Sequence, residues 1–174
     1  MGDYLMALEL NGTTGVSLVQ DGAITDANLP AGSVLQVVQG VLTGINVSSS
    51  SSSFADTGIT AAITPSSASN KILVLINIGG LYKTTSNTYA QFKVLRGATD
   101  IVAFENLGGF TNASDSVAYG SISCCYLDSP ATTTSTTYKV QFASGANAAS
   151  VSFNTSPNGS ITTTSTITLM EIAA

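Results

Sequence analysis

From Ser33 onward, the chain is a succession of short β-prone apolar runs separated by turns rich in Ser, Thr, Gly and Asn. Short strands at this spacing are typical of an antiparallel β-sandwich or jelly roll. The sequence therefore predicts an all-β fold. We expect about eight or nine strands, within residues 34–42, 54–64, 71–81, 89–95, 101–105, 117–127, 138–142, 151–153 and 161–172.

Several runs also carry information about their surroundings. Residues 71–81, KILVLINIGGL, form the most continuously apolar stretch, which predicts a central strand covered on both faces. In three other runs, alternate residues share one face of the predicted strand. The faces expected to be apolar hold Ala90, Phe92 and Val94 in the first run, Tyr138, Val140 and Phe142 in the second, and Ile167, Leu169 and possibly Glu171 in the third. The short link before residue 101 predicts a hairpin, and the serine run at 48–53 a flexible or extended connection.

Residues 1–33 differ from the rest, because Gly, Asn and Asp interrupt their apolar pairs every few residues. This pattern predicts an extended N-terminal arm, followed by a β-sandwich domain at residues 34–174. The arm holds four acids and no base, so −4 of the net charge of −5 lies there. It can dock on a basic partner surface or remain a solvated tail. Candidate arm contacts to a partner are Tyr4, Leu5, Met6, Leu8, Leu10, Val16, Leu18 and Val19.

Charged residues make up only 9% of the chain, against about 25% in ordinary domains. Hydroxyl and amide side chains stand in their place. A weakly charged surface is tolerated best where neighbouring subunits cover it, which favours a homo-oligomer over a monomer with a polar surface. The five bases do not cluster, so the composition argues against nucleic-acid binding.

The residue types needed for chemistry are scarce. Without any His, a serine nucleophile lacks its usual base, and no zinc or phosphate-loop spacing occurs. Two of the carboxylates Asp56, Glu105, Asp128 and Glu171 could still converge as in a glycosidase, although single acids such as Asp56 and Asp128 are more often turn formers. We therefore expect no enzyme, no metal and no cofactor. The adjacent Cys124 and Cys125 are expected to be reduced thiols, one of them in the core.

Five aromatic residues have two possible roles, in the core or in stacking on a sugar or a neighbouring subunit. They are Tyr82, Tyr89, Phe104, Phe110 and Tyr119. The sequence has no signal peptide and no apolar stretch long enough to span a bilayer. We therefore expect synthesis in a cytoplasm and no membrane insertion.

Three stretches together resemble small β domains of tailed bacteriophages, notably those of cyanobacterial and marine phages. They are DTGITAAITPSSASNKILVLI at 56–76, YLDSPATTTSTTYKVQF at 126–142 and STITLMEIAA at 165–174. The arm sequences LNGTTGVSLVQDGAI and LPAGSVLQVVQ resemble the linker that precedes such domains in phage fibre proteins. The resemblance implies a structural protein on the exterior of the virion and transfers no catalytic residue.

Within that resemblance two roles are open. A short arm followed by one β domain resembles capsid cement or decoration proteins, which are trimers that clamp neighbouring capsid subunits. The partners would then be further copies of the chain and the major capsid protein. The alternative is a short tail-fibre or receptor-binding protein, although phage fibres are usually much longer. A module that binds a host surface glycan fits the same fold.

Overall fold

The computed structural model describes residues 28–145, 149–156 and 163–174, and this part of the chain contains ten strands. They are β1 (Val34–Thr43), β2 (Val47–Ser49), β3 (Ala55–Ile63), β4 (Lys71–Lys83), β5 (Ala90–Arg96), β6 (Thr99–Gly108), β7 (Ala118–Asp128), β8 (Thr136–Ser144), β9 (Val151–Phe153) and β10 (Thr164–Ile172). The fold is all-β, as predicted. It has more strands than the eight or nine expected, and part of the serine run, predicted as a connection, forms β2.

The strands form two antiparallel sheets. In the large sheet, the long strands follow the order β1-β10-β4-β7, and the short β9 and β2 extend it beside the far end of β4. The small sheet has the order β3-β8-β5-β6. The four long strands of the large sheet face the four strands of the small sheet. Two such layers are the architecture of a jelly roll, so the predicted fold class is confirmed.

The core fills the space between the sheets and follows the period-two pattern of the strands. Its centre is a group of three phenylalanines: the ring centroid of Phe92 lies 5.3 Å from that of Phe142 and 5.8 Å from that of Phe153. The alternating faces predicted for β5, β8 and β10 all point into this core, and the predicted hairpin is the pair β5 and β6.

Gly40 allows the two layers to approach closely at one edge. A Cβ atom built there would lie 1.9 Å from the carbonyl oxygen of Thr60, which is far inside van der Waals contact. The backbone of β1 can therefore lie against β3 only because position 40 carries no side chain.

A bulge at Gly79 and Gly80 changes the parity of β4. Before it, even-numbered residues up to Ile78 face the core; after it, Leu81 and Lys83 do so. Bulges turn the side chains beyond them to the opposite face, so Tyr82 points outward. The bulge thus determines which residues of this strand are exposed at its far end.

We name the two ends of the sandwich by the parts of the chain that lie there. At the arm end, β1 begins and Gly32 and Ser33 are hydrogen-bonded to Ala173. At the loop end, near Lys83, β4 and β6 finish and β7 begins. Residues 1–27 lie outside the described residues, so the predicted arm boundary stays a prediction.

Candidate interaction surfaces

The outer faces of the two sheets differ sharply in charge. On the small sheet, Lys139 pairs with Asp56 at 2.9 Å, and Lys93 pairs with Asp100 at the same distance. The Lys139 hydrogen bond, helped by one from Gln141, holds the pKa of the Asp56 carboxyl below its ordinary value. This face has the ion pairs typical of a surface in contact with water.

Three neighbouring cross-strand rows on the outer face of the large sheet contain no charged residue. We call this surface the uncharged face. The rows contain Val37, Met170, Leu73 and Leu127; then Gln39, Thr168, Leu75 and Cys125; and then Val41, Thr166, Asn77 and Ser123. Lys71, at the extreme arm end, is the charged residue in line with this face.

The first of these rows, which we call the apolar row, is continuously apolar across all four long strands. Its outer members Val37 and Leu127 are 55% and 48% exposed, while Leu73 and Met170 between them are half-buried. Apolar side chains in contact across adjacent strands usually lie in a core. Here they form a patch that the described residues leave open to solvent.

The apolar row explains why residues 71–81 are continuously apolar. The prediction that both faces of this strand are covered was wrong for the described chain, because only the face with Ile72, Val74 and Ile76 is buried in the core. Leu73 and Leu75 point the other way. Within the described residues, the second face of this apolar strand has no covering layer.

Exposed aromatic residues gather at the loop end. Tyr82 stacks on Tyr119 with ring centroids 5.4 Å apart, and Tyr89 meets Phe110 edge to face at 6.2 Å. Tyr119 is 59% exposed and Phe110 50%. The core role considered for these residues is therefore wrong for Tyr119 and Phe110. Phe104 is partly buried against the core.

Buried Lys83 holds together the two loops that carry Tyr89 and Phe110. Its ammonium group donates hydrogen bonds to the Thr85 carbonyl at 2.8 Å, to the Thr111 hydroxyl at 2.5 Å and to the Ser116 carbonyl at 3.4 Å. Burial lowers the pKa of Lys83. One side chain thus joins the β4–β5 loop to the β6–β7 loop.

The carboxylates considered as catalytic candidates form hydrogen bonds within the fold. Asp128 and Glu171 both face the core, and they lie on the two strands that flank β4, each opposite the fully buried Ile72. Asp128 accepts hydrogen bonds from Arg96 and Tyr138. The expectation that Asp56 and Asp128 are turn formers was wrong, because both bond to side chains on other strands.

The remaining predicted sites are placed as follows. Glu105 accepts a 2.7 Å hydrogen bond from the backbone of Leu107. Both cysteines are free, with Cys124 partly buried against the core and Cys125 exposed on the uncharged face. The described residues contain no group of three or more His, Cys, Asp or Glu residues that could hold a metal, and no helix there is long and apolar enough to cross a membrane.

All eight arm residues predicted to contact a partner, Tyr4, Leu5, Met6, Leu8, Leu10, Val16, Leu18 and Val19, lie outside the described residues. Their role stays a prediction.

Comparison with known proteins adds little to this description. No family model matches the chain, and no curated protein matches it. Thirteen chains of solved structures match. One is the VP2 subviral particle of infectious bursal disease virus, with a TM-score of 0.45 and 12% sequence identity, over 79% of this chain and 32% of the viral chain. The chain thus spans about a third of that protein's length, and a similarity this low carries no argument about function.

Proposed function

We propose that this chain is a structural protein on the exterior of the virion of a tailed bacteriophage. More specifically, it is a cement or decoration protein that clamps neighbouring capsid subunits as a homotrimer. The observation that carries the proposal is the difference between the two outer faces: one has ion pairs, and the other is an uncharged surface with an apolar row. A face of this composition is suited to a permanent protein contact.

The chemistry of the described residues also favours assembly over catalysis. Their buried carboxylates are saturated by hydrogen bonds within the fold. Jelly rolls occur in viral capsid proteins, in lectins and in cupins. Among the described residues, reacting groups are not gathered in a cleft, so what distinguishes this domain is its surfaces.

The ends of the sandwich fit a cement protein. The acidic arm enters at the arm end, where Gly32 and Ser33 bond to the end of the chain. A docked arm would hold the domain with its loop end away from the capsid. This layout makes the arm the clamp and the domain an outward knob.

The alternative role, a short tail-fibre or receptor-binding protein, is favoured by the loop end. Exposed aromatic rings such as Tyr119 and Phe110 stack well on sugars, and a host surface glycan would be the ligand. This role would use the loop end, whereas the cement role uses the arm and the uncharged face.

Particles that lack this protein separate the two roles. For a cement protein, heads without it release their DNA at a lower temperature, and adding back the purified chain restores the loss. For a receptor-binding protein, head stability is unchanged and adsorption to host cells falls. Unchanged head stability would therefore contradict the cement proposal.

A further inference from the structure

We infer that the uncharged face is where copies of this chain meet one another, with the apolar rows of three copies forming one layer around a three-fold axis. This inference rests on the proposed function for the number of copies. The identity of the occupant and the direction of the axis follow from the structure itself.

Charge identifies a second copy as the occupant. When identical faces are brought together, any charge on the face meets its own like charge. The three rows of the uncharged face contain none, and the exposed Lys71 lies beyond them at the arm end. The outer face of the small sheet would instead place Asp56, Lys93, Asp100 and Lys139 against their own copies. Of the two outer faces, the three rows of the large sheet are therefore the surface that can meet its own copy without like charges in contact.

The position of the apolar row gives the direction of the axis. The row lies close to the arm end, while Asn77 and Ser123 occupy the middle of the same face. If one copy were turned end over end, its apolar row would meet these polar side chains. When the three rows of neighbouring copies overlap fully, their apolar rows meet only if the copies run in the same direction, so the symmetry axis lies along the strands.

Around a three-fold axis, each copy meets both of its neighbours along this one face. Packed in this way, all three arms leave at the same end, toward the capsid.

The test is the mass of the purified full-length protein in solution, measured by light scattering after size-exclusion chromatography. We expect three times the chain mass of 17.6 kDa. Val37→Lys and Leu127→Lys place a charge on half-exposed positions at the two ends of the apolar row, so a single subunit can tolerate them. We expect each to weaken assembly at least tenfold. Ala62→Lys, an exposed position on the small sheet, is the matched control and should leave the trimer intact.

Cys125 provides a second readout without substitution. It lies on the uncharged face in the row next to the apolar row, so a maleimide reagent should label it slowly in the assembled protein and rapidly in Leu127→Lys. A monomeric wild-type protein overturns the inference.

Two further outcomes separate this inference from the proposed function. A trimer that persists in both lysine variants, with Cys125 freely labelled, also overturns the inference but leaves the trimer of the proposed function standing. A dimer that the same substitutions dissociate would confirm the face and overturn the three-fold arrangement.

Discussion

The phenol of Tyr138 in the small sheet donates a 2.7 Å hydrogen bond to the carboxylate of Asp128 at the end of the large sheet. Arg96 donates to the same oxygen at 2.7 Å. Burial raises the pKa of the Tyr138 phenol, as do the hydrogen bond to Asp128 and the charge of that carboxylate. This group joins the two layers at the arm end, beside the place where the chain enters the domain.

Replacing Tyr138 with Phe should lower the free energy of unfolding by about 1 to 3 kcal/mol, because a buried hydrogen bond to a charged group is lost. Urea unfolding at constant protein concentration measures this. Tyr119→Phe, which changes an exposed hydroxyl in the same way, should alter stability by less than about 0.5 kcal/mol. Equal stabilities for the two variants would contradict the role assigned to Tyr138.

Glu171 is a second buried carboxylate, saturated by neutral donors. One oxygen accepts hydrogen bonds from the backbone and hydroxyl of Ser66 and from Asn70, at 2.7 to 2.8 Å, and the other accepts one from Gln36. Glu171→Gln places an amide NH2 among these donors. We expect a loss of about 2 to 4 kcal/mol at neutral pH, against a much smaller effect for Glu105→Gln, whose carboxylate bonds to one backbone amide at the surface.

The same residue makes stability depend on pH. Burial raises the pKa of Glu171, but the hydrogen bonds from Asn70, Gln36 and Ser66 outweigh it and hold the pKa below the ordinary value of 4.5. Because the folded carboxyl binds its proton less readily than the unfolded one, its stabilisation is fully present above the ordinary value. It is lost as pH falls through the folded pKa. The stability difference between wild type and Glu171→Gln should therefore narrow as the pH falls from 4.5 through the folded pKa; a gap that stays constant into acid would refute this account.

Gly40→Ala should destabilise the domain by about 1 to 3 kcal/mol or more, since its Cβ would overlap the Thr60 carbonyl, which the backbone of β3 holds in place. Gly120→Ala is the matched control, because a Cβ there would meet nothing within 4 Å. Thermal unfolding of both variants measures the difference. If Gly40→Ala melted with the control, the close approach of β1 and β3 would be wrong.

Alternation in the sequence correctly identified the core faces of β5, β8 and β10, because strands that bury one face must follow a period of two. It even placed Glu171 on the buried face of β10 with Ile167 and Leu169. What alternation could not supply was the set of partners that make a buried carboxylate tolerable. Gln36 and Ser66 are far from Glu171 in sequence and reach it only through the folding of the sheets.

The outward position of Tyr82 has a local reason. The bulge at Gly79 and Gly80 reverses the parity of β4, so Tyr82 turns outward and Lys83 inward, opposite to the pattern set by Ile72 to Ile78. A pair of glycines in a strand signals a bulge, but the sequence does not give the number of residues it inserts. The short strand β2 was missed because its pairing with β9 is distant in sequence.

The central claim, a structural protein on the phage head, is tested most directly by imaging intact particles and counting the copies of this chain on each. The account predicts hundreds of copies spread over the head in groups of three, with the loop end of each domain pointing outward. A few copies confined to the tail, or particles without this protein, would contradict it.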